Sequence, residues 1–156
     1  MDPFIRVGMA FLATLGAGLV GYLFVDTRVS SWYAGLAKPP LTPTDLVVII
    51  VSLVLYFLMA LALAIVWTKK QQSEQTRAWV RFYFLQLLLN AAWTVFFFGL
   101  HSALVAFVDV LFLGFTVLSL IASAWGIDRR AAHLMLPYLA WIFFAAYLSL
   151  GIWWLN

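Results

Sequence analysis

Five long apolar runs, four of them without a single charged residue, decide most of what this chain can become. Val7–Val25, Leu46–Trp67, Phe82–Leu100 and Ala131–Asn156 carry no Asp, Glu, Lys or Arg, and Ser102–Trp125 carries one acid, Asp109. A helix needs about 20 mostly apolar residues to cross the hydrocarbon core of a bilayer. Each run meets that length. Transmembrane β-strands would be about 10 residues long and would alternate polar with apolar, and these runs do neither.

Composition agrees. Hydrophobic residues make up 66% and charged residues 10%, against about 45–50% and about 25% in soluble domains. So few charges cannot cover a soluble globule, and such apolarity excludes disorder and a nucleic-acid-binding arm. There are no cysteines, which excludes disulfides and thiolate metal sites. The expectation is an all-α membrane protein: one domain over 1–156, a five-transmembrane-helix bundle with helices over about 5–25, 46–67, 80–99, 102–125 and 131–155. The first run is too long for the apolar part of a signal peptide, and the segment before it carries an acid, Asp2.

The connection Asp26–Asp45 is the only long one. It holds Trp32, Tyr33, Lys38, Pro39, Pro40 and Pro43, and its prolines predict a stiff, turned strap without regular helix. With five spans, Arg6, Lys69, Lys70, Arg77, Arg81, Arg129 and Arg130 fall on one side, and Arg28 and Lys38 on the other. The positive-inside rule then places the N-terminus in the cytoplasm and the strap and C-terminus outside, for an inner or plasma membrane.

Polar groups inside a membrane are costly and mark function or helix contacts. Gln86, Asn90, Trp93, Thr94 and Phe97 share one helix face at intervals of three and four. So do Ser52, Tyr56 and Met59; Ser102, Ala106, Asp109, Leu113 and Thr116; and Tyr138, Trp141, Ala145 and Ser149. Periodicity leaves open whether these stripes line a common cavity or bond helices together. The small-residue rows Ala10/Thr14/Gly18 and Ala13/Ala17/Gly21 suit close packing, within the bundle or across a dimer seam. Trp67, Trp79, Trp125, Trp153 and Trp154 stand at span ends, as interfacial tryptophans do. His101 and His133 are isolated near the membrane boundaries, and no hydrolase or phosphate-loop motif is present.

At the strap, Trp32-Tyr33-Ala34-Gly35-Leu36-Ala37-Lys38-Pro39 resembles the WYxxLxKP signature of the tryptophan-rich sensory protein family. That family is also called the translocator protein or peripheral-type benzodiazepine receptor family. The likeness continues through Leu55–Met59, through Gln86-Leu87, Leu89-Asn90, Trp93 and Phe97–Gly99, at Asp109, and through Pro137–Trp141, Phe144-Ala145 and Ile152-Trp153. The resemblance implies a five-helix bundle, commonly dimeric, whose strap caps a ligand cavity. It implies binding of tetrapyrroles such as protoporphyrin IX or haem, or of benzodiazepine-site ligands, with no cofactor required. Carried over by motif, the cavity residues are Tyr33, Tyr56, Asn90, Trp93, Phe96, Asp109, Trp141 and Ala145, with Ser52 and Ser149 on the same stripes. Trp32, Lys38 and Pro39 form the cap. Lys38 or Arg28 either pairs with porphyrin propionates or stays solvated.

The departures bear on activity. Leu41 and Thr44 replace a tryptophan and a proline usual in the family, and Ser149 an asparagine. Ser52 stands where a tryptophan linked to light-dependent porphyrin breakdown is common. Serine cannot donate electrons to an excited macrocycle, so the chain reads as a tetrapyrrole-binding receptor or sensor that hands on or transports its ligand. The alternatives are a light-dependent porphyrin-degrading enzyme, disfavoured by Ser52, a transporter coupled to protons through Asp109, and a scaffold without ligand. The sterol motif of animal members needs a basic residue near the C-terminus, and none follows Arg130.

Overall fold

The computed structural model describes residues 2–23, 27–69 and 73–156, with residues 20–23 and 27–30 described by backbone alone. The expected end of the first span at Val25, the start of the strap at Asp26, Lys70, the side chain of Arg28 and the packing at Gly21 lie outside that description. All regular structure among the described residues is helical. The helices are α1 (Pro3–Leu23), α2 (Thr27–Gly35), α3 (Asp45–Trp67), α4 (Glu74–Thr94), α5 (Ala103–Ile127) and α6 (Arg129–Leu155); a π-helical turn, Val95–Gly99, extends α4. Four helices are long and apolar enough to cross a membrane: α3, α4 with its π turn, α5 and α6. In α1 the apolar stretch is shorter, Pro3–Leu19.

The strap corrects the proline argument. A nine-residue helix, α2, occupies its first half. Proline forbids helix only around itself, and the first one is Pro39; nothing upstream opposes helical backbone. Capping likewise moves helix ends beyond the membrane runs. Helix α4 begins at Glu74, about a turn and a half before the expected start, because Ser73 accepts the Thr76 amide at 3.2 Å.

Helix α5 packs against α4 and α6, α1 against α3, and α3 against α6. The shared core holds Met59, Leu63, Trp79, Tyr83, Val117, Leu120 and Met135. Leu53, Leu88, Phe112 and Phe115 point outward, the arrangement a lipid-facing surface requires. On α1, Ala10 and Thr14 are fully buried, and a β-carbon on Gly18 would meet the Tyr56 ring at 2.8 Å. That small-residue row is spent inside the bundle.

One residue, Asp128, joins α5 to α6. Its side chain caps α6 through the Arg130 amide at 3.0 Å and pairs with Lys69 at 2.8 Å and the Arg130 guanidinium at 3.1 Å. The Arg130 and Lys69 hydrogen bonds hold its carboxyl well below the usual carboxylate range. A depressed folded value means the stabilisation is full above about pH 4 and fades as pH falls further. Asp128→Ala is expected to cost about 1 kcal/mol at pH 7 through the lost cap. Asp128→Asn keeps the cap, costs less, and flattens the loss of melting temperature between about pH 4 and pH 2. Thermal melts across that range check both.

Candidate functional site

On α4, Tyr83, Gln86, Asn90, Trp93 and Phe97 follow at intervals of three and four and so face one way. The structure turns that face into the bundle. The Tyr56 hydroxyl donates to Asn90 Oδ1 at 2.5 Å, and Asn90 Nδ2 donates to the Tyr138 hydroxyl at 2.9 Å. One asparagine thus ties α3, α4 and α6 together. One turn toward the strap, Trp93 Nε1 donates to Ser149 Oγ at 3.3 Å. Toward the opposite end, the Tyr83 and Thr14 hydroxyls bond at 2.9 Å.

The strap closes over the π-turn end. Trp93 stacks on Phe97 with centroids 5.3 Å apart. Trp32 meets Phe97 edge-on at 5.8 Å, and Tyr33 meets Phe97 and Phe98 at 6.1 and 6.0 Å. The π turn fits an extra residue into the helix, and Phe96, Phe97 and Phe98 all join this cluster with Trp32, Tyr33, Leu36 and Trp93. Lys38 Nζ sits 4.7 Å above the Tyr33 ring, a cation–π contact. Burial, and then the charge of Asp45, raises the Tyr33 hydroxyl above its ordinary value.

Four contacts anchor the strap. Pro39 is buried against Gly151, where an added β-carbon would meet its ring at 2.8 Å. The Ala37 amide donates to Asn156 Oδ1, and Asn156 Nδ2 returns a bond to the Ala37 carbonyl, each at 3.0 Å. The Tyr147 hydroxyl donates to the Pro40 carbonyl at 2.8 Å.

The expected residues therefore divide. Tyr56, Asn90, Trp93 and Ser149 meet through hydrogen bonds, and Tyr33, Trp32 and Phe96 gather above them. Trp141 and Ala145 are half-buried against the main core, with Trp141 tilted on Phe144 at 5.3 Å. Ser52 is half-buried one turn before Tyr56, and Asp109 is buried on α5. Thr116 spends its hydroxyl on the Phe112 carbonyl of its own helix, at 2.8 Å. Leu41, in the tryptophan position, is exposed with φ at 67°.

Three features were not legible beforehand. His101 is not isolated: its ring stacks on Trp32 at 4.5 Å. Tyr138 completes the Asn90 trio, signalled only by its place on the α6 stripe. Gly18 gives the Tyr56 ring its room, signalled only by the small-residue row. Two clefts, of about 240 and 220 Å³, lie at the other end, around Lys69, Gln75 and Gly126 and around Trp79, Leu120 and Ser123.

Comparison with known proteins identifies the family. A profile of the TspO/MBR family covers residues 10–155. The chain is 36% identical over 152 residues to the Tryptophan-rich protein TspO of Archaeoglobus fulgidus, with 97% of each chain covered. It is 34% identical over 149 residues to the Translocator protein of Ovis aries, covering 94% of this chain and 87% of that one. It is 28% identical over 146 residues to Protein CrtK of Rhodobacter capsulatus, covering 94% and 89%. With a family profile matched over nearly the whole length and relatives of 34–36% identity covering most of both chains, the chain belongs to the TspO/MBR family of membrane proteins.

Proposed function

We propose that this protein is a membrane receptor or sensor that binds a tetrapyrrole, protoporphyrin IX or haem, inside the helix bundle and hands it on. The carrying observation is the stacked aromatic cluster of Trp93, Phe97, Trp32 and Tyr33 beside the polar trio of Tyr56, Asn90 and Tyr138. A flat apolar macrocycle suits aromatic faces, with a few polar groups orienting its edge. In this reading α1 is the fifth span of a single domain, since 21 helical residues reach about 30 Å. The strap is the lid, and it faces outward with the C-terminus while the basic Arg6, Arg77 and Arg81 end faces the cytoplasm. Trp141 and Ala145 complete the pocket wall once Tyr56 parts from Asn90, and two copies pair through outward helix faces. Ser52 in place of a tryptophan favours binding without photochemical turnover.

The test titrates the detergent-purified full chain with protoporphyrin IX in the dark and follows tryptophan quenching. Saturable quenching is expected, weakened about tenfold in Asn90→Ala and severalfold in Trp141→Phe. Under illumination the Soret band should decay no faster than that of free porphyrin. Identical, non-saturating quenching in all three proteins would mean that porphyrin partitions into the micelle, and would end this reading.

A further inference from the structure

Gln86 is fully buried, yet neither its Nε2 nor its Oε1 has a hydrogen-bond partner among the described residues. A primary amide carries two donors and an acceptor oxygen with two lone pairs. Burying all of them unmet is costly in any core and more so in a membrane, where bulk water offers no rescue. The neighbours on the same α4 face behave differently. Tyr83, one turn toward the cytoplasmic-side clefts, bonds Thr14, and Asn90, one turn toward the strap, bonds two tyrosines. The file of polar side chains along α4 has a gap at Gln86 alone.

A second open atom lies close in depth. Asp109 on α5 is 7% exposed, and its Oδ2 has no partner among the described residues. Helices α4 and α5 run antiparallel. Their register is set where Trp79 Nε1 donates to the Leu120 carbonyl at 2.8 Å and where Phe97 packs with Ala103 and Ala106. That register brings Asp109 to about the depth of Asn90, one turn from Gln86.

We propose that Gln86 anchors an internal polar site for a neutral hydroxyl-bearing group, one that accepts from Nε2 and donates to Oε1. An anion would satisfy only the first of these and a cation only the second. Two sources supply that chemistry: ordered water, or the un-ionised carboxylic acid of a bound hydrophobic ligand. The second source rests on the tetrapyrrole reading. Trp93 stands two turns from Gln86, about 10 Å along the axis, within reach of a macrocycle and its propionic acid arm.

The experiment uses the full chain in lipid nanodiscs at pH 5. It compares wild type, Gln86→Met (near-isosteric and apolar) and Gln86→Glu (a neutral carboxyl with the same donor and acceptor). The probes are protoporphyrin IX and its dimethyl ester, and melting temperature is recorded without ligand. If a ligand acid docks at Gln86, wild type prefers the free acid about tenfold. Gln86→Met abolishes that preference, while Gln86→Glu keeps it. If water is the occupant, the preference is absent or unmoved by Gln86→Met, but that variant melts several degrees lower and Gln86→Glu recovers the loss. The proposal is overturned if Gln86→Met melts at or above wild type with the preference unmoved, since the amide was then simply unmet. A fall in melting temperature that Gln86→Glu does not recover, again with the preference unmoved, is a packing defect and overturns it equally. Absence of saturable binding by either probe defeats the tetrapyrrole reading, and the melting comparison still decides Gln86.

Discussion

Asn90→Leu is expected to destabilise the bundle by about 2–4 kcal/mol, because it orphans two tyrosine hydroxyls at once. Each buried polar group left without a partner costs about 1–3 kcal/mol. Tyr138 is 3% exposed and Tyr56 half-buried, and at this depth in the bundle bulk water reaches neither hydroxyl. Leucine's better helix propensity returns only about 0.5 kcal/mol. The loss therefore dominates. The discriminating measurement repeats the substitution in a Tyr56→Phe/Tyr138→Phe background, where no hydroxyl remains to be orphaned. There Asn90→Leu should cost under about 1 kcal/mol, the difference being the coupling energy of the trio. Equal costs in both backgrounds would show that Asn90 acts through packing and not through its two hydrogen bonds. The same variant should bind porphyrin weakly, since the trio is the orienting polar group of the proposed pocket.

The second large effect concerns the lid. In Gly151→Ala the new methyl would stand 2.8 Å from Cβ and Cγ of Pro39, a rigid and buried ring that has no rotamer to yield. Overpacking of this kind costs about 1–3 kcal/mol. Alanine gains about 1 kcal/mol over glycine inside a helix, so α6 itself does not suffer and the melting temperature should move little. What gives way is the strap. Its bonds from Ala37 to Asn156 and from Tyr147 to Pro40 depend on Pro39 being seated. Amide exchange at Ala37 should accelerate about tenfold, equivalent to about 1.4 kcal/mol of opening free energy, with porphyrin affinity falling in parallel. Gly16→Ala, where the methyl meets nothing within 4 Å, is the control and should leave Ala37 exchange unchanged. Exchange at Ala37 that stays at the wild-type rate in Gly151→Ala would mean the strap is held from elsewhere.

The polar stripes were readable along each helix taken alone. Intervals of three and four put Gln86, Asn90 and Trp93 on one face of α4, and Tyr138, Trp141, Ala145 and Ser149 on one face of α6. Nothing in those intervals says which member of one stripe meets which member of another. Asn90 finds Tyr138 and Trp93 finds Ser149 across 48 and 56 residues of chain. Partner choice follows from the rotation and register of two packed helices, and both are settled by the whole bundle. The same holds for Gly18, whose missing side chain matters only because the Tyr56 ring lies against it.

The spans were legible because hydrocarbon imposes the same two demands everywhere, a length of about 20 residues and satisfaction of every backbone group within the helix. Both are local, so the runs from Leu46, Phe82, Ser102 and Ala131 could be bounded without knowing their neighbours. Their true ends were less so, since Ser73 and Asp128 set them by capping outside the apolar runs. The strap was misjudged in its first half for a related reason: proline acts over one turn, and α2 lies beyond its reach. Only the tertiary structure placed Trp32 on His101, seated Pro39 on Gly151, closed the Asn90 trio and left Gln86 unmet. Each of these is a meeting of side chains from distant segments, and its energy exists only once the helices are packed.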